Sequence, residues 1–420
     1  MFAQFLYVVK LPMAMIALWL VFVNQWKNHD SSASCSYLFL GKTVKEYILK
    51  PTTCLVLEQI IGDSQALDRA IAGEELSYND GLELMRYDNL HMLGAVADIA
   101  RKKIAGDTVT FAASYYMNYT NVCAASCQMC AFYRKEGADD AYTLTPDQIE
   151  QRVSIAKDMG ATEVHIVGGF HPKLPLEYYE DMMRAIKKSH PELKIKALTA
   201  AEIFYLSKLT KNSVKEILSR LKNAGLDSMP GGGAELFHPE IRGKIVRGKC
   251  SGQEWLDVIE QAHNLGIRSN VTMLYGHIEK PEHIVDHLIK IRELQKRTGG
   301  FITLIPLKFS LDNTELEQEH LVNNECSSVY DLRVIALSRL MLANVLNNIS
   351  VYWVAYGKKL AQVALSNGGN DLVGTAFSEE IYRAAGKPTT SSVEELATMV
   401  KEIGRKPSQR DTYFNILKNF

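Results

Sequence analysis

The chain has 420 residues, room for one large domain with extensions or for two domains. Hydrophobic residues make up 47% and charged residues 23%, an ordinary balance for a globular chain with a buried core. The formal net charge of −1 leaves no basic excess of the kind that holds a nucleic-acid backbone, which argues against that class of partner.

From Leu11 to Val23 the chain carries no charge. This run is shorter than the roughly 18–20 residues of a membrane-spanning helix. Ser32-Ala33-Ser34 makes a poor signal-cleavage site. A weak membrane anchor, a partner-docking helix and a start codon placed too far upstream all fit residues 1–50. The last is the expectation, with a cytoplasmic catalytic body and membrane contact confined to residues 1–25. Residues 51–106 are expected to form a helical cap. Ala66, Leu67, Ala70 and Ile71 fall at helical spacing, as do Leu90, Leu93, Val96 and Ile99, with Arg101-Lys102-Lys103 and Gly106 as stop signals.

Between 107 and 387 the pattern alternates. Short apolar runs predict strands over Val109–Ala113, Glu163–Val167, Leu193–Leu198, Ser228–Gly233, Arg268–Leu274, Phe301–Pro306 and Ser350–Val354. Helices are predicted between them, beginning with Pro146–Met159 behind the N-cap Thr145. At least six βα units imply a parallel sheet, and no G-x-G-x-x-G opens a helix. The expected fold is therefore an α/β barrel, (β/α)6 or (β/α)8, with the TIM-like eight-unit form preferred. Residues 388–420 are expected to add one or two terminal helices.

Cys123, Cys127 and Cys130 stand at C-x3-C-x2-C spacing, so one short loop can aim three thiolates at one centre. Three protein ligands leave a metal position open, which suits chemistry better than scaffolding. A structural zinc would need a distant fourth ligand such as His165 or His171, and no second C-x2-C accompanies the first. Cys35, Cys54, Cys250 and Cys326 are scattered and read as reduced thiols. The motif is similar to that of the radical S-adenosylmethionine (SAM) superfamily. There it holds a [4Fe–4S] cluster whose fourth iron chelates the amine and carboxylate of SAM.

Active sites of such barrels lie at the C-terminal ends of the strands, and the unusual residues of this chain fall there. The cysteine loop follows the first predicted strand and Gly168-Gly169 the second. Glu202 follows the third, Gly231–Gly233 with Glu235 the fourth, Tyr275 and His277 the fifth, and Lys308 the sixth. The glycines are either tight turns or backbone that approaches a ligand closely. Glu202 is either a ribose ligand or a buried ion-pair partner, and Glu235 is a candidate acceptor for ribose hydroxyls. His171 and His277 are satisfied histidines or acids near the substrate. Lys308 is a solvated lysine or a carboxylate anchor. Arg268 begins its strand and so lies on the far face.

Asn118-Tyr119-Thr120-Asn121-Val122-Cys123 into Ala131-Phe132 resembles the radical SAM enzymes of the futalosine menaquinone pathway and of deazaflavin biosynthesis. Gly168-Gly169-Phe170-His171-Pro172, Thr199-Ala200-Ala201-Glu202-Ile203, Pro230 to Glu235, and Thr272 to His277 resemble the branch that forms 6-amino-6-deoxyfutalosine. The likeness continues through Tyr352-Trp353 and Leu360 to Leu365, and covers roughly residues 60–415. Where the family carries an aromatic before the third cysteine, this chain has Met129, whose thioether can fill the same contact. The resemblance implies a [4Fe–4S] cluster on the three cysteines, with SAM as co-substrate against Gly168, Gly169, Glu202 and Glu235. It implies a one-electron reductant such as flavodoxin or ferredoxin. The reaction implied is addition of the 5′-deoxyadenosyl group to 3-[(1-carboxyvinyl)oxy]benzoate, with His171 and His277 as candidate catalytic groups. A sister cyclase of the same pathway, a deazaflavin-precursor synthase, and a non-enzymatic metal-binding protein are the competing readings.

Overall fold

The computed structural model describes residues 64–387 and 390–420, together with a two-stranded pair at Leu38–Phe39 and Lys42–Thr43. The chain divides into two compact units, Met1–Gln59 and Ile60–Phe420, and the barrel belongs to the second. The uncharged Leu11–Val23 run lies outside the described residues. Among those described, no helix is long and apolar enough to cross a membrane.

Two strands follow the N-terminal helices: β1 (Thr108–Ala112) and β2 (Ser114–Asn118). The barrel continues through β3 (Glu163–Val167), β4 (Lys194–Ala197), β5 (Ser228–Met229), β6 (Arg268–Tyr275) and β7 (Phe301–Lys308). β2 to β7 form one six-stranded sheet in sequence order, every neighbouring pair parallel. Helices return the chain between strands, as parallel pairing requires. Single parallel bridges then complete the ring. Leu304 pairs with Ile349, Ser350 with Asp371, and Phe377 with Tyr115 on β2. The last two of eight positions are thus held by isolated contacts flanking β8 (Asp371–Gly374). The expected strand Ser350–Val354 shrinks because the short helix Trp353–Tyr356 starts at once. Trp353 Nε1 donates to the Gly374 carbonyl at 2.8 Å and fixes that turn.

The structure relocates the strand that carries the cysteine loop. That strand is β2, not Val109–Ala113. Residues 109–117 are all buried, so the apolar pattern runs unbroken across the junction at Ala113 and hides it. β1 instead lies in a second sheet, ordered β8, β1, β9 (Lys406–Arg410), β10 (Ile416–Asn419). The C-terminal segment therefore contains one helix, Val393–Glu402, followed by two strands where only helices were expected. Lys406-Pro407-Ser408-Gln409-Arg410 carries no apolar alternation because Ser408 and Arg410, both 2% exposed, are buried as polar groups.

Those polar groups seal the N-terminal end of the barrel. Lys196 holds both oxygens of Glu163 at 3.0 and 3.1 Å, and Thr412 Oγ1 donates to the same carboxylate. Arg410 grips Asp371 through two nitrogens at 2.7 and 3.0 Å. Thr110 and Ser350 hydroxyls, each at 2.6 Å, donate to Asp371 as well. Burial would raise the Glu163 carboxyl, but Lys196 and Arg410 carry it down to about 2. Each charge has a partner, which is the condition for tolerating ions in a core.

The helices Tyr78–Arg86 and Leu90–Ala105 pack on the barrel's outer helices, and Gln65–Ala72 packs on those two. Arg292, from helix Pro281–Thr298, donates to the Leu76 carbonyl at 2.6 Å. Arg333, from helix Ser328–Leu342, donates to Leu84 O at 3.2 Å. An unforeseen helix, Ala200–Thr210, opens at Thr199 with a reciprocal capping box to Glu202.

Candidate active site

At the C-terminal ends of the strands the barrel encloses a cavity of about 290 Å³. Its lining includes Cys123, Cys127, Cys130, Gly168, Gly169, Glu202, Gly231–Gly233, Glu235 and Lys308, all singled out from sequence, together with Met129. Four successive strand ends thus deliver their unusual residues to one space.

The cysteine loop is built by its own backbone and its neighbours. Asn121 clasps the returning chain, accepting from Tyr142 N and donating to Asp140 O, both at 2.8 Å. Cys123 N donates to Arg134 O at 3.0 Å, and Cys130 N to Cys127 O at 3.0 Å. Ala124 N donates to Phe170 O at 2.8 Å, while Phe170 N returns a 3.2 Å bond to the Cys123 sulfur. Loop and Gly168-Gly169-Phe170 edge are therefore stitched together. A Cβ on Gly169 would lie 2.2 Å from Val122 O and 2.9 Å from Cys123 Cβ, so only glycine permits that approach.

The three cysteine sulfurs are not drawn together around a single ion. Tetrahedral zinc with Zn–S near 2.3 Å brings thiolates to about 3.8 Å from one another. Among the described residues, the metal-capable groups whose ligand atoms all fall within 4.8 Å of each other do not include the cysteine trio. The soft three-thiolate set, its glycine-edged cradle and an adjacent cation fit a [4Fe–4S] cluster held by Cys123, Cys127 and Cys130.

That cation is Lys249, which sequence reasoning did not single out. Its ammonium bonds Glu235 Oε1 at 2.8 Å, with side chains 16% and 6% exposed. Burial pushes the Cys127 thiol up to about 11, and the Lys249 charge works against that rise. Cys123 is likewise raised by burial and eased by the Phe170 and Ala125 amides and by Lys249. Burial would raise Glu235 too, but Lys249 and Arg242 hold it below the usual carboxylate range. Arg242 braces the same loop, donating to Gly233 O at 2.9 Å, Ala234 O at 2.7 Å and Cys250 O at 2.7 Å. Glu235 itself takes a left-handed backbone, φ 45°.

Glu202 is committed to the scaffold. One oxygen accepts from Thr199 N at 2.7 Å; the other accepts from Tyr119 OH at 2.9 Å and Gly168 N at 3.1 Å. It lines the cavity while fixing the first glycine of the edge, and burial raises its carboxyl. Lys308 lines the cavity with its ammonium engaged by Cys326 O at 3.1 Å and Asp331 at 3.2 Å.

The two histidines expected at the substrate stand elsewhere. The His277 ring is fully buried, its Nδ1 accepting from Ile278 N at 2.7 Å and its Nε2 facing Leu274 O at 3.3 Å. Burial lowers its pKa, and it is not among the residues lining the cavity. His171 Nδ1 accepts from Lys173 N at 3.1 Å, also away from the lining. His171 stands four residues past the end of β3 and His277 two past the end of β6. The histidine inside is His165, an inward-facing position on β3, weighed from sequence only as a metal ligand. The inward alternation of Glu163, His165 and Val167 was the available signal.

Glu379 also lines the cavity, 2% exposed, accepting from Ile381 N at 3.0 Å and Tyr382 N at 2.8 Å. Burial pushes it up to about 7, against those backbone bonds and with Glu380 adding to the rise. Tyr116, Tyr352 and Tyr382 share its charge field. A carboxyl raised from 4.5 stabilises the fold below its unfolded pKa, and that stability is lost as pH rises through about 7. Glu379→Gln should therefore flatten the stability–pH curve between pH 5 and 8 by about 3 kcal/mol. Denaturant titrations across that range check this; parallel curves for the two proteins would refute it.

Comparison with known proteins agrees with this geometry. Residues 117–291 match the Radical SAM superfamily, and residues 298–419 match the CofH/MqnC C-terminal region. The chain is 40% identical over 349 residues to aminodeoxyfutalosine synthase of Thermus thermophilus, covering 83% of this chain and 94% of the relative. It is 38% identical over 357 residues to 5-amino-6-(D-ribitylamino)uracil--L-tyrosine 4-hydroxyphenyl transferase of Methanothermobacter thermautotrophicus, covering 84% and 96%. In fold it is similar to the FeFe-hydrogenase maturase HydG from Carboxydothermus hydrogenoformans (TM-score 0.66, 17% identity, 86% and 84% covered). Methylornithine synthase (PylB) is comparably close (TM-score 0.64, 17% identity, 82% and 97% covered). The cysteine cradle, the barrel around it and these relatives together place the chain in the radical SAM superfamily, as an enzyme of the group that includes the aminodeoxyfutalosine synthases.

Proposed function

We propose that the enzyme adds the 5′-deoxyadenosyl group of SAM to 3-[(1-carboxyvinyl)oxy]benzoate, giving 6-amino-6-deoxyfutalosine for menaquinone biosynthesis. The observation that carries this reading is the single cavity that joins the three cysteines, the Gly168-Gly169 edge and the Gly231–Glu235 loop. The [4Fe–4S] cluster, when bound and reduced by a one-electron donor such as flavodoxin or ferredoxin, supplies the electron that cleaves SAM. The remaining work belongs to the chain. Gly168 and Gly169 let the cavity edge close on Tyr119 and the cysteine loop, so that this edge faces the methionine end of SAM, the Gly231–Gly233 backbone meets the nucleoside, and the barrel walls exclude water. Glu235, held ionised by Lys249, is the remaining candidate acceptor for ribose hydroxyls, since Glu202 has both oxygens engaged.

The near-equal identity to the archaeal 4-hydroxyphenyl transferases sustains a second reading, a radical transfer onto a ribitylaminouracil. Product analysis separates the two. Anaerobic turnover with SAM and the enolpyruvyl benzoate, followed by mass spectrometry, should yield a product that contains the adenosyl carbon skeleton. Free 5′-deoxyadenosine as the main adenosyl product, with no adduct, would reject the proposed reaction in favour of a hydrogen-abstracting one.

A further inference from the structure

The lower end of the cavity contains a polar side chain with nothing to bind. His165 is in register with Tyr116 on β2 and Lys196 on β4, one inward-facing layer above Glu163. Its ring stacks on Tyr116, centroids 4.5 Å apart at 15°. The Glu163–Lys196 and Arg410–Asp371 network below is closed upon itself and makes no hydrogen bond to the imidazole. Among the described residues, neither His165 nitrogen has a hydrogen-bond partner, yet the ring lines the cavity. Burial and the Lys196 charge push it down to about 3, so it is neutral at physiological pH, with one N–H to give and one lone pair to receive.

Of the surrounding groups, Tyr382 donates to Lys308 O at 2.9 Å, and Glu379 accepts from two backbone amides. Gly168 at the rim is three positions beyond His165, about 10 Å of strand. The cavity thus has a cysteine and glycine end above and an aromatic end below, where one free imidazole waits among phenol rings. The ring is half-buried and lines the cavity, where a ligand's polar group can reach its nitrogens.

We infer that the bottom of the cavity is an aryl subsite, in which His165 hydrogen-bonds the carboxylate at the far end of the substrate's aromatic ring. The inference rests on the proposed reading and adds which end of the substrate enters first. His165 is then a specificity-determining residue, because a cavity donor that faces only the ligand discriminates against analogues that lack its partner.

The test uses the cluster-reconstituted enzyme with SAM under anaerobic conditions, titrated calorimetrically with 3-hydroxybenzoate, which has no vinyl group to react, and with phenol, which lacks the carboxylate. His165→Ala should weaken 3-hydroxybenzoate about tenfold or more and leave phenol within about threefold. His165→Asn, which restores an N–H, should recover most of the loss. Equal weakening of both ligands, no weakening of 3-hydroxybenzoate, or no binding of it by the parent enzyme would each overturn the subsite. The proposed reaction fails separately, if the parent enzyme makes no adenosylated product from the enolpyruvyl benzoate.

Discussion

Gly169→Ala should abolish turnover while leaving the barrel folded. The new methyl carbon would sit 2.2 Å from Val122 O, 2.7 Å from Val122 C and 2.9 Å from Cys123 Cβ. Two of those are backbone atoms, so no side chain can rotate away. Relief comes only by parting the Gly168–Phe170 edge from the cysteine loop. That parting breaks the 2.8 Å Ala124–Phe170 bond and the 3.2 Å amide contact to the Cys123 sulfur. The φ of Gly169 is not in the left-handed region, so backbone strain is not the cause. Iron content per chain and turnover should both fall to the level of a Cys127→Ala variant, in which one cluster ligand is absent. Gly243→Ala is the control. Nothing lies within 4 Å of its added carbon, and it sits in the helix Pro239–Ile245. Normal iron content and turnover in Gly169→Ala would mean that the close approach is not needed.

How far the sequence reached depends on what kind of signal each element carries. The barrel was legible because its strands and helices alternate, with the Thr145 cap marking where the first helix after the cysteine loop opens. The cysteine trio was legible because three ligands stand within eight residues of one another. Glu202 was visible but ambiguous. The side chain that caps a helix is the same type that binds a ribose, and only the three bonds to Thr199, Tyr119 and Gly168 decide between the two roles. β9 left no trace, because a buried strand of lysine, serine and arginine has no apolar period, and its partner Asp371 lies 39 residues away from Arg410. His277 misled because adjacency to a strand end says nothing of where the chain turns next. His165 was weighed only as a metal ligand because an inward-facing strand position looks like core until the cavity above it is seen.

Lys249→Met should cost both stability and activity, and a second substitution should separate the two. The ammonium neutralises Glu235 at 2.8 Å with both groups nearly out of water. Removing it alone leaves a buried carboxylate with only Arg242 nearby, a loss on the order of 3–5 kcal/mol. The pH dependence should also change sign. In the parent, Glu235 lies below its unfolded pKa, so its contribution is present above that value and lost as pH falls. In Lys249→Met burial dominates, Glu235 rises, and the contribution is lost as pH rises instead. Adding Glu235→Gln removes the stranded charge, so the double variant should regain most of the stability and show neither slope. Cluster loading should not return with it, and turnover stays low in any case because Glu235 is also the proposed ribose acceptor. The same ammonium opposes the burial that keeps the Cys123 and Cys127 thiols protonated, and a metal takes only the thiolate. Iron uptake at neutral pH should therefore stay slow in the double variant and quicken as pH is raised. Iron uptake in the double variant that matches the parent's at neutral pH would show that Lys249 serves only to neutralise Glu235.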